Sequence, residues 1–382
     1  MAFDGITVAC MAHELNKNLA GGRISKIAQP ETDELLLTVK SQEGNFRLLL
    51  SASASLPLVY LTQNNKPSPL TAPNFCMLLR KHISGGRIIS VTQPSLERVL
   101  RFEIEHLDEM GDLCRKYLIV ELMGKYSNII FCSDQDQIID SIKHISAQIS
   151  SVREVLPGRP YFIPETQEKE NPLTVSEEAF IRSVSAKAAK LSKALYTSLT
   201  GLSPVAAEEI CHEASLDSDR PAGTFEQDEL IHLYRTLNRY LEPLAFGNYM
   251  PCVYYDGKNP IEFSCLPLTL YDHCRKESYS LVSGMLEHYY AEKNTLTRIR
   301  QKSTDLRRIV QTALERNVKK YDLQTKQLKD TEKREKYRIY GELINTYGYD
   351  VAPGSKSFRA LNYYTGEEIT IPLDPQIPVQ EN

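Results

Sequence analysis

The feature that most constrains the fold of this chain is a stretch of sequence that occurs twice. Gly-Gly-Arg-Ile at 21–24 returns at 85–88, and Gln-Pro at 29–30 returns at 93–94, so both pairs of segments are 64 residues apart. Each copy follows a helical stretch and leads into alternating apolar residues. A glycine pair commonly ends a helix, and period-two alternation is typical of a strand. Each copy therefore predicts a helix, a strand, a Gln-Pro turn and a second strand.

The two copies differ at the turn between their predicted strands. The first copy carries Asp33-Glu34 there, and the second carries Glu97-Arg98. Such a turn is expected to be exposed, and exposed loops on a rigid scaffold often carry function. The difference therefore indicates that the function of the repeat lies on this turn.

The charge of the chain is unevenly distributed. Its 382 residues predict two or three domains and carry a formal net charge of -4. The stretch 66–101 nevertheless holds six Lys and Arg against the single acid Glu97, and 292–338 is also rich in Lys and Arg. Two basic surfaces would suit a phosphate backbone, because binding there releases counterions. For the second stretch, a solvated helix face is an equally good interpretation.

The cysteines and the N-terminus indicate a cytoplasmic protein. None of the eight cysteines forms a Cys-x-x-Cys pair, and several stand in apolar runs, so we expect reduced core residues and neither disulfides nor a zinc site. The chain starts without a signal peptide and has no run of 18 apolar residues, which predicts no membrane partner. His13-Glu14 has no second histidine four residues on, so we expect no metal site and no cofactor.

Pattern changes along the chain predict an α+β protein with three domains. Residues 1–172 form an α+β domain. Residues 173–278 combine helices with a β-hairpin at 249–270, and Thr174 with Glu177 predicts a capping box. Residues 279–382 form the first half of a coiled-coil arm with a β-hairpin tip, because apolar residues recur every three or four positions in a long stretch without proline.

A glycine-containing break in the helical part indicates a helix-hairpin-helix module. Leu-Thr-Gly-Leu-Ser-Pro at 199–204 separates two helices, with Ser203 as the expected N-cap and Pro204 at the first helical position. In such modules, backbone amides at a helix N-terminus commonly bind a phosphate. An ordinary corner between two helices is an equally good interpretation, since the pair Glu208-Glu209 would repel a phosphate.

Several motifs together resemble the NFACT family, whose bacterial members are called RqcH or fibronectin-binding protein A. The similarity extends in order along essentially the whole chain, and no single motif would be specific by itself. The motifs are Phe-Asp-Gly at 3–5, His-Glu-Leu at 13–15, Phe-Cys-Met-Leu-Leu-Arg-Lys at 75–81, Glu97-Arg98, Glu-Leu-Met-Gly-Lys-Tyr-Ser-Asn-Ile-Ile at 121–130, Leu-Pro-Gly at 156–158, Gly-Leu-Ser-Pro at 201–204, Tyr-Gly-Glu-Leu at 340–343 and Ile-Pro-Leu-Asp-Pro at 371–375.

The resemblance implies a factor in ribosome-associated quality control. Family members bind a large ribosomal subunit that still carries a stalled peptidyl-tRNA, and they recruit a further tRNA for C-terminal tailing of the nascent chain. The tail is alanine in bacteria, which implies tRNA-Ala. The first domain is implied to resemble that of formamidopyrimidine-type DNA glycosylases, and it handles tRNA together with the helix-hairpin-helix region. A second arm and a C-terminal RNA-binding domain follow the hairpin tip in the family.

The resemblance also implies which residues bind tRNA. An early aspartate of the family corresponds to Asp4, and an Asp-Arg pair corresponds to Glu97-Arg98, where the acid is one methylene longer. An arginine can hold phosphate in a bidentate manner, and the adjacent carboxylate can orient it. The alternative for Asp4 is a helix N-cap, and the alternative for the pair is a solvated turn.

Three further basic residues are weaker candidates for tRNA binding. Arg80 and Lys81 end a predicted helix, where cations also interact favourably with the helix dipole. Lys125 lies in a predicted turn whose simpler interpretation is structural. As tRNA-binding candidates, Arg80 and Lys81 are expected to face a phosphate, and Lys125 is expected to contact RNA at its turn.

The resemblance leaves three functions to compare. The first is a tRNA- and ribosome-binding scaffold with no catalytic residues. The second is a nucleic-acid enzyme like the glycosylases, but Ala2 and Phe3 stand where those enzymes carry a catalytic proline and glutamate. The third is a fibronectin-binding surface adhesin, against which the missing signal peptide argues.

Overall fold

The computed structural model describes residues 3–108, 110–164 and 168–382, without the side chains of 292–298, 300–302 and 332. The chain divides into two compact units, Met1–Thr297 and Arg298–Asn382. The expected division at 172/173 and 278/279 stays a prediction. No helix in the described part of the chain is both long and apolar enough to cross a membrane.

The helices and strands follow one another in mixed order. The α-helices are α1 (Gly5–Leu19), α2 (Asn74–Ile83), α3 (Glu177–Ser185), α4 (Leu191–Ser198), α5 (Pro204–Glu213), α6 (Gln227–Phe246) and α7 (Val282–Tyr347). The strands are β1 (Arg23–Glu31), β2 (Glu34–Ser41), β3 (Gly44–Ser51), β4 (Leu58–Thr62), β5 (Arg87–Thr92), β6 (Val99–Leu107), β7 (Leu113–Glu121), β8 (Asn128–Ser133), β9 (Ile138–Ser141), β10 (Cys252–Asp256), β11 (Asn259–Ser264), β12 (Arg275–Ser278), β13 (Ser357–Asn362) and β14 (Glu367–Pro372).

The repeat forms one antiparallel sheet with internal two-fold pseudosymmetry. The strand order is β4-β3-β2-β1-β5-β6-β7-β8-β9, so the two copies meet at β1 and β5, and each then continues outward in chain order. The predicted helix-strand-strand unit is confirmed in both copies. Strands β3 and β4, which the sequence did not predict, extend the first copy.

Reciprocal hydrogen bonds join the two copies at the pseudosymmetry axis. Gly21 N donates to Ile88 O and Gly85 N donates to Ile24 O, both at 2.8 Å. The two donors are 64 residues apart and so are the two acceptors, and Arg23 lies opposite Arg87. Both Gly21 and Gly85 have a φ of 77°, a left-handed conformation that favours glycine. The paired Gly-Gly-Arg-Ile segments therefore form the axis of the sheet.

The helices of the repeat pack across this axis. Helix α1 contacts β5 of the second copy, whereas α2 contacts β1 of the first. Their apolar faces meet the inward side chains of the strands, which are essentially inaccessible to solvent. Each copy therefore covers part of the other. The largest buried side chains of this core include Met11, Leu15, Leu37, Leu48 and Phe102.

The turn of the first copy is buried, so the expected exposure of that turn is wrong for this copy. Asp33 and Glu34 are almost inaccessible to solvent. Lys66 Nζ lies 2.9 Å from a Glu34 carboxylate oxygen, and Ala52 N donates to Asp33 O at 2.8 Å. A buried charge needs a partner, and Lys66 supplies it. The first-copy turn is thus a structural element.

The helical part of the first unit contains α3 to α6, as predicted. Ser203 caps α5 by accepting from Ala206 N at 3.2 Å, and Pro204 occupies the first turn of that helix, which confirms both expectations. The capping box predicted at Thr174 and Glu177 is wrong. Ser176 is the N-cap of α3, because its hydroxyl accepts from Ala179 N at 3.2 Å. The loop before this helix offers two hydroxyl residues, and only one has the cap geometry.

A small sheet and the start of α7 complete the first unit. The predicted hairpin at 249–270 is confirmed as β10 and β11, and an unpredicted strand, β12, pairs with β10 on its other side. Glu14 of α1 is buried beside the first turn of α7 and accepts from Val282 N and Ser283 N. The Ser283 hydroxyl in turn accepts from Leu61 N at 2.8 Å. A carboxylate of the first domain therefore caps α7.

The second unit contains most of α7 and the strand pair β13–β14. The predicted long helix and hairpin tip are confirmed, with Ser357 opposite Pro372 and Asn362 opposite Glu367. Large apolar side chains along α7 are exposed, including Leu306, Leu314 and Tyr321. The pairing of α7 in a coiled coil stays a prediction.

Candidate nucleic-acid interface at the second turn

Three chain segments meet at the second-copy turn. They are the turn itself at 94–98, the start of α1, and the 199–204 hairpin between α4 and α5. Gly5 N donates to Gly201 O at 2.8 Å. The Gln93 side chain donates to Gly5 O and to Glu97 O, both at 2.8 Å. The turn is therefore fixed to the N-terminus of α1, and α1 is fixed to the hairpin.

Two glycines allow these segments to approach so closely. A Cβ on Gly5 would lie 2.1 Å from Leu96 O, and a Cβ on Gly201 would lie 2.3 Å from the same oxygen. Backbone atoms cannot move aside cheaply, so no larger residue fits at either position without rearrangement. Gly201 also has a φ of +77°. The glycines of the Phe-Asp-Gly and Gly-Leu-Ser-Pro motifs are thus explained by packing.

The turn itself carries backbone strain. Ser95 and Leu96 have φ values of 46° and 58°, in the left-handed region that non-glycine residues seldom occupy. Such residues persist only where the surrounding structure holds them, and they cluster at functional sites. Here the buried Leu96 side chain packs in the core of the helical part. With Leu96 buried in this way, the next two residues, Glu97 and Arg98, lie at the edge of the junction.

Glu97 and Arg98 are half-buried and lie among further cations. Burial raises the pKa of Glu97, whereas the positive charges of Arg98 and Lys169 oppose that rise. Burial lowers the pKa of Lys169, Glu97 opposes this change, and the charges of Arg98 and Lys187 add to it. In this cluster the Glu97 carboxylate therefore lies near two cations, Arg98 and Lys169, and Lys187 adds a third positive charge near Lys169.

Strand-like pairing brings Lys169 to this cluster. Glu170 N donates to Ser198 O at 2.8 Å, and Thr200 N donates to Glu170 O at 2.9 Å. Lys169 Nζ donates to Tyr196 O at 3.0 Å. This segment belongs to the polar run 165–171, which reads as a linker in the sequence. Its first part, 165–167, lies outside the described residues, and the rest is packed against the hairpin.

The cluster has the chemistry of an anion site. The guanidinium of Arg98 can form two parallel hydrogen bonds to a phosphate, and two ammonium groups can add point charges. Glu97 can hold the guanidinium or accept from a ribose hydroxyl. Arg98 is half-exposed, so a ligand can reach it. The sequence predicted the pair but neither Lys169 nor Lys187. The approach of Lys169 depends on the pairing of its neighbour Glu170 with 198–200.

Asp4 is a helix N-cap, which the sequence offered as the alternative to tRNA binding. It is the N-cap of α1, and its Oδ1 accepts from Thr7 N at 3.0 Å and from the Thr7 hydroxyl at 3.1 Å. Burial raises the pKa of Asp4, although hydrogen bonds with Ser203 and Thr7 favour its charged form. Its carboxylate is thus used within the junction, and tRNA binding by Asp4 stays a prediction.

Arg80 and Lys81 lie in the last turn of α2 and are exposed. The Arg80 guanidinium donates from Nε to Ile27 O at 2.9 Å. At the equivalent position of the first copy, Asn16 Oδ1 accepts from Val91 N at 2.9 Å. Both bonds satisfy a backbone group of the strand across the axis. Arg80 is thereby assigned a structural contact, and tRNA binding by Arg80 and Lys81 stays a prediction.

Lys125 lies on an exposed one-turn helix, Gly124–Tyr126. Its Nζ is 4.8 Å from the centre of the Tyr126 ring. Leu122 N donates to Arg98 O at 2.9 Å, so the segment that carries Lys125 begins beside Arg98. An exposed cation with an adjacent exposed aromatic ring suits RNA, which offers both phosphates and bases. The role of Lys125 stays a prediction.

The hairpin between α4 and α5 packs inward. Thr200, Leu202 and Ser203 are buried, and the Gly201 carbonyl accepts from Gly5. Glu209 is also buried, with its carboxylate accepting from Thr269 N at 2.7 Å and Leu270 N at 3.0 Å. The layout of two helices around Gly201 is present, whereas phosphate binding by this hairpin stays a prediction.

The His13-Glu14 pair contributes to packing. Glu14 caps α7, and the His13 ring lies 5.8 Å from the Tyr249 ring and against Gly247, the left-handed C-cap of α6. Burial raises the pKa of Glu14, although its hydrogen bonds with Ser283 and Val282 favour the charged form. Among the side chains that the structure describes, no group of three His, Cys, Asp or Glu residues is arranged to hold a metal ion.

Comparison with known proteins agrees with the resemblance seen in the sequence. Residues 4–382 match the model of the NFACT N-terminal and middle domains. The Rqc2 homolog RqcH of Bacillus subtilis is 34% identical over 388 residues, which cover 100% of this chain and 65% of that protein. The human Ribosome quality control complex subunit NEMF is 22% identical over 151 residues, or 40% of this chain and 13% of that protein.

A solved structure extends the comparison to the fold. The N-terminal part of the fibronectin/fibrinogen-binding protein from Streptococcus suis is 31% identical, with a TM-score of 0.62, over 76% of this chain and 100% of that one. The expected likeness to DNA glycosylases stays a prediction. The chain spans about 65% of the length of its Bacillus relative. Its match over nearly every residue to the NFACT N-terminal and middle domains means that the chain belongs to the NFACT family.

Proposed function

We propose that this chain is a tRNA- and ribosome-binding factor of ribosome quality control. It binds the large ribosomal subunit that carries a stalled peptidyl-tRNA, and it recruits a further tRNA, tRNA-Ala in bacteria, for C-terminal tailing of the nascent chain. The names of the Bacillus RqcH and human NEMF relatives support the role in ribosome quality control. It acts in the cytoplasm as a scaffold without catalytic residues, and the peptidyl transfer is chemistry of the ribosome.

The observation that carries the proposal is the cluster at the second turn. Arg98 is half-exposed at a junction of three segments, with Glu97 beside it, Lys169 within electrostatic reach, and Lys187 within reach of Lys169. Such a cluster neutralises phosphates in one stretch of RNA backbone. Lys125, on the neighbouring turn, would extend the contact.

The test is a salt titration of tRNA binding by wild type, Arg98→Ala and a control, Arg239→Ala. Arg239 is exposed and lies 3.5 Å from Glu213 on the surface, so the control loses the same charge elsewhere. We expect Arg98→Ala to bind tRNA on the order of tenfold more weakly, with a salt slope smaller by about one. Equal tRNA affinity of Arg98→Ala and wild type would remove the proposed role of Arg98.

A second candidate is the binding of fibronectin. The solved Streptococcus suis relative is named a fibronectin/fibrinogen-binding protein, which favours this candidate. Immobilised fibronectin and tRNA would be presented to the same preparation of the chain. Tight fibronectin binding without tRNA binding would favour the adhesin over the ribosomal factor.

A further inference from the structure

The two copies of the repeat present the same sheet positions with opposite electrostatics. Cross-strand pairing defines the equivalent positions, because residues directly opposite one another share a face of a sheet. One row runs across the axis through paired positions on six neighbouring strands, in the order β3, β2, β1, β5, β6 and β7. Its members are Asn45, Lys40, Arg23, Arg87, Glu105 and Arg115.

A second row repeats this relation three residues further along β1 and β5 and two residues further along the other strands. In the first copy, Lys26 pairs with Thr38, and Thr38 with Arg47. In the second copy, Ser90 pairs with Glu103, and Glu103 with Tyr117. Each copy has a register irregularity next to the first residue of the row, so the equivalence includes the local backbone.

The second copy neutralises its own face. Arg115 lies 3.0 Å from Glu103 and 3.8 Å from Glu105, and the Ser90 hydroxyl donates to Glu103 at 3.1 Å. Both cations of this copy, Arg87 and Arg115, are therefore balanced by acids in the same two rows. This half of the sheet has little excess charge to offer a polyanion.

The first copy has no such compensation. Its six equivalent positions hold Arg23, Lys26, Lys40 and Arg47 with two neutral residues and no acid. Within the described part of the chain, none of these four cations forms an ion pair. Arg47 donates to Gln63 O at 2.9 Å and Arg23 to Gly85 O at 3.2 Å. Backbone carbonyls orient these two guanidinium groups, and within the described residues neither positive charge is compensated by an ion pair.

A cavity in the same face adds neutral hydrogen-bond donors. It measures about 260 Å³ and lies between the strands and the loop after β4. Hydroxyl and amide groups line it together with two of the cations. The polar residues around it are Ser25, Lys26, Thr38, Arg47, Asn65 and Ser68. Mixed cationic and hydroxyl donors suit phosphate and ribose oxygens.

We propose that this face of the first repeat, with Arg23, Lys26, Lys40 and Arg47, binds the phosphate backbone of ribosomal RNA. The inference rests on the proposed ribosomal function and adds a second RNA surface to it. Glu105 belongs to the row of Lys40 and lies seven residues along the extended chain from Arg98, or roughly 24 Å. That separation places the face beyond the stretch of backbone that the Arg98 cluster holds.

The test compares two double variants with the same loss of charge. Lys26→Ala with Lys40→Ala removes two uncompensated cations of the first copy. Arg115→Ala with Arg159→Ala removes two exposed cations that have acidic partners, since Arg159 lies 2.8 Å from Glu154. Binding of each full chain to salt-washed large ribosomal subunits and to tRNA alone is measured across a salt series, and melting temperatures check that the variants fold.

We expect the first double variant to bind subunits on the order of tenfold more weakly, with a salt slope smaller by about two. Its tRNA affinity should equal that of wild type, and the control variant should match wild type in both assays. Unchanged subunit binding would overturn the inference, as would a loss confined to tRNA or an equal loss in the control. Failure of the Arg98 cluster would instead appear as unchanged tRNA binding by Arg98→Ala.

Discussion

The two copies of the repeat share a backbone fold and differ in which of their charged side chains form ion pairs. In the first copy, the turn is buried around the Glu34–Lys66 ion pair, and the sheet face keeps its cations uncompensated. In the second, the turn is strained and half-exposed around Arg98, and the sheet face neutralises itself. A duplicated fold thus offers two equivalent surfaces, and short-range partners decide which one remains available to a polyanion.

The largest expected effect separates the two turns by stability. Lys66→Ala should lower the free energy of unfolding by roughly 2–3 kcal/mol, because it removes the ion pair with the buried Glu34 carboxylate. This value lies below the usual range for a fully buried pair, since the Lys66 side chain is 28% exposed. Arg98→Ala should cost less than about 1 kcal/mol. Urea denaturation measures both free energies of unfolding. A larger loss in Arg98→Ala than in Lys66→Ala would contradict the distinction between a structural and a functional turn.

A smaller effect tests the equivalence of Asn16 and Arg80. Asn16→Ala leaves the buried Val91 N–H without its acceptor and should cost about 2 kcal/mol. Arg80→Ala removes one donor from Ile27 O, but the Cys76 thiol still lies 3.7 Å from that oxygen, so about 1 kcal/mol is expected. Thermal unfolding of the two variants gives both values. No loss in either would remove the structural role assigned to these helix ends.

The smallest effect concerns pH at the second turn. Burial raises the pKa of Glu97 above its ordinary value of about 4.3. The folded protein therefore holds this proton more tightly than the unfolded chain, and the contribution of Glu97 to stability falls as pH rises through that window. Glu97→Gln cannot titrate, so its stability should fall less than that of wild type between about pH 4 and the raised pKa. Urea denaturation at several pH values would detect it, and a steeper fall in the variant would contradict the burial of this carboxylate.

Local signals predicted much of the fold. The glycine pairs mark the ends of α1 and α2 because the residues at 21 and 85 need a left-handed backbone. Ser203 with Pro204 marks the start of α5 in the same way, since a cap and a fixed φ act within one turn. Strand β12 has no such signal, because all four of its residues are exposed and show no apolar alternation.

The candidate site was only partly predictable, because its electrostatics depend on distant contacts. The sequence identifies Glu97-Arg98 through the repeat and the family motif. It does not show that Lys66, 32 residues away, neutralises the equivalent turn. Nor does it show that Lys169 reaches Arg98 through pairing of its neighbour Glu170 with the hairpin. Sequence-based counting placed the excess of cations in the second copy, whereas uncompensated cations lie on the sheet face of the first.

The capping of α7 by Glu14 has a consequence for synthesis of the chain. Glu14 accepts hydrogen bonds from the backbone amides of Val282 and Ser283, which lie 268 and 269 residues further along the chain. At the usual 5–20 residues per second, translation needs roughly 15–50 seconds to cover that interval. During this time α1 has been made but its buried carboxylate has no helix start to cap. Helix α1, the first helix to be synthesised, is therefore among the last to acquire all of its native contacts. Until the start of α7 is synthesised, the first repeat stays partly exposed to solvent.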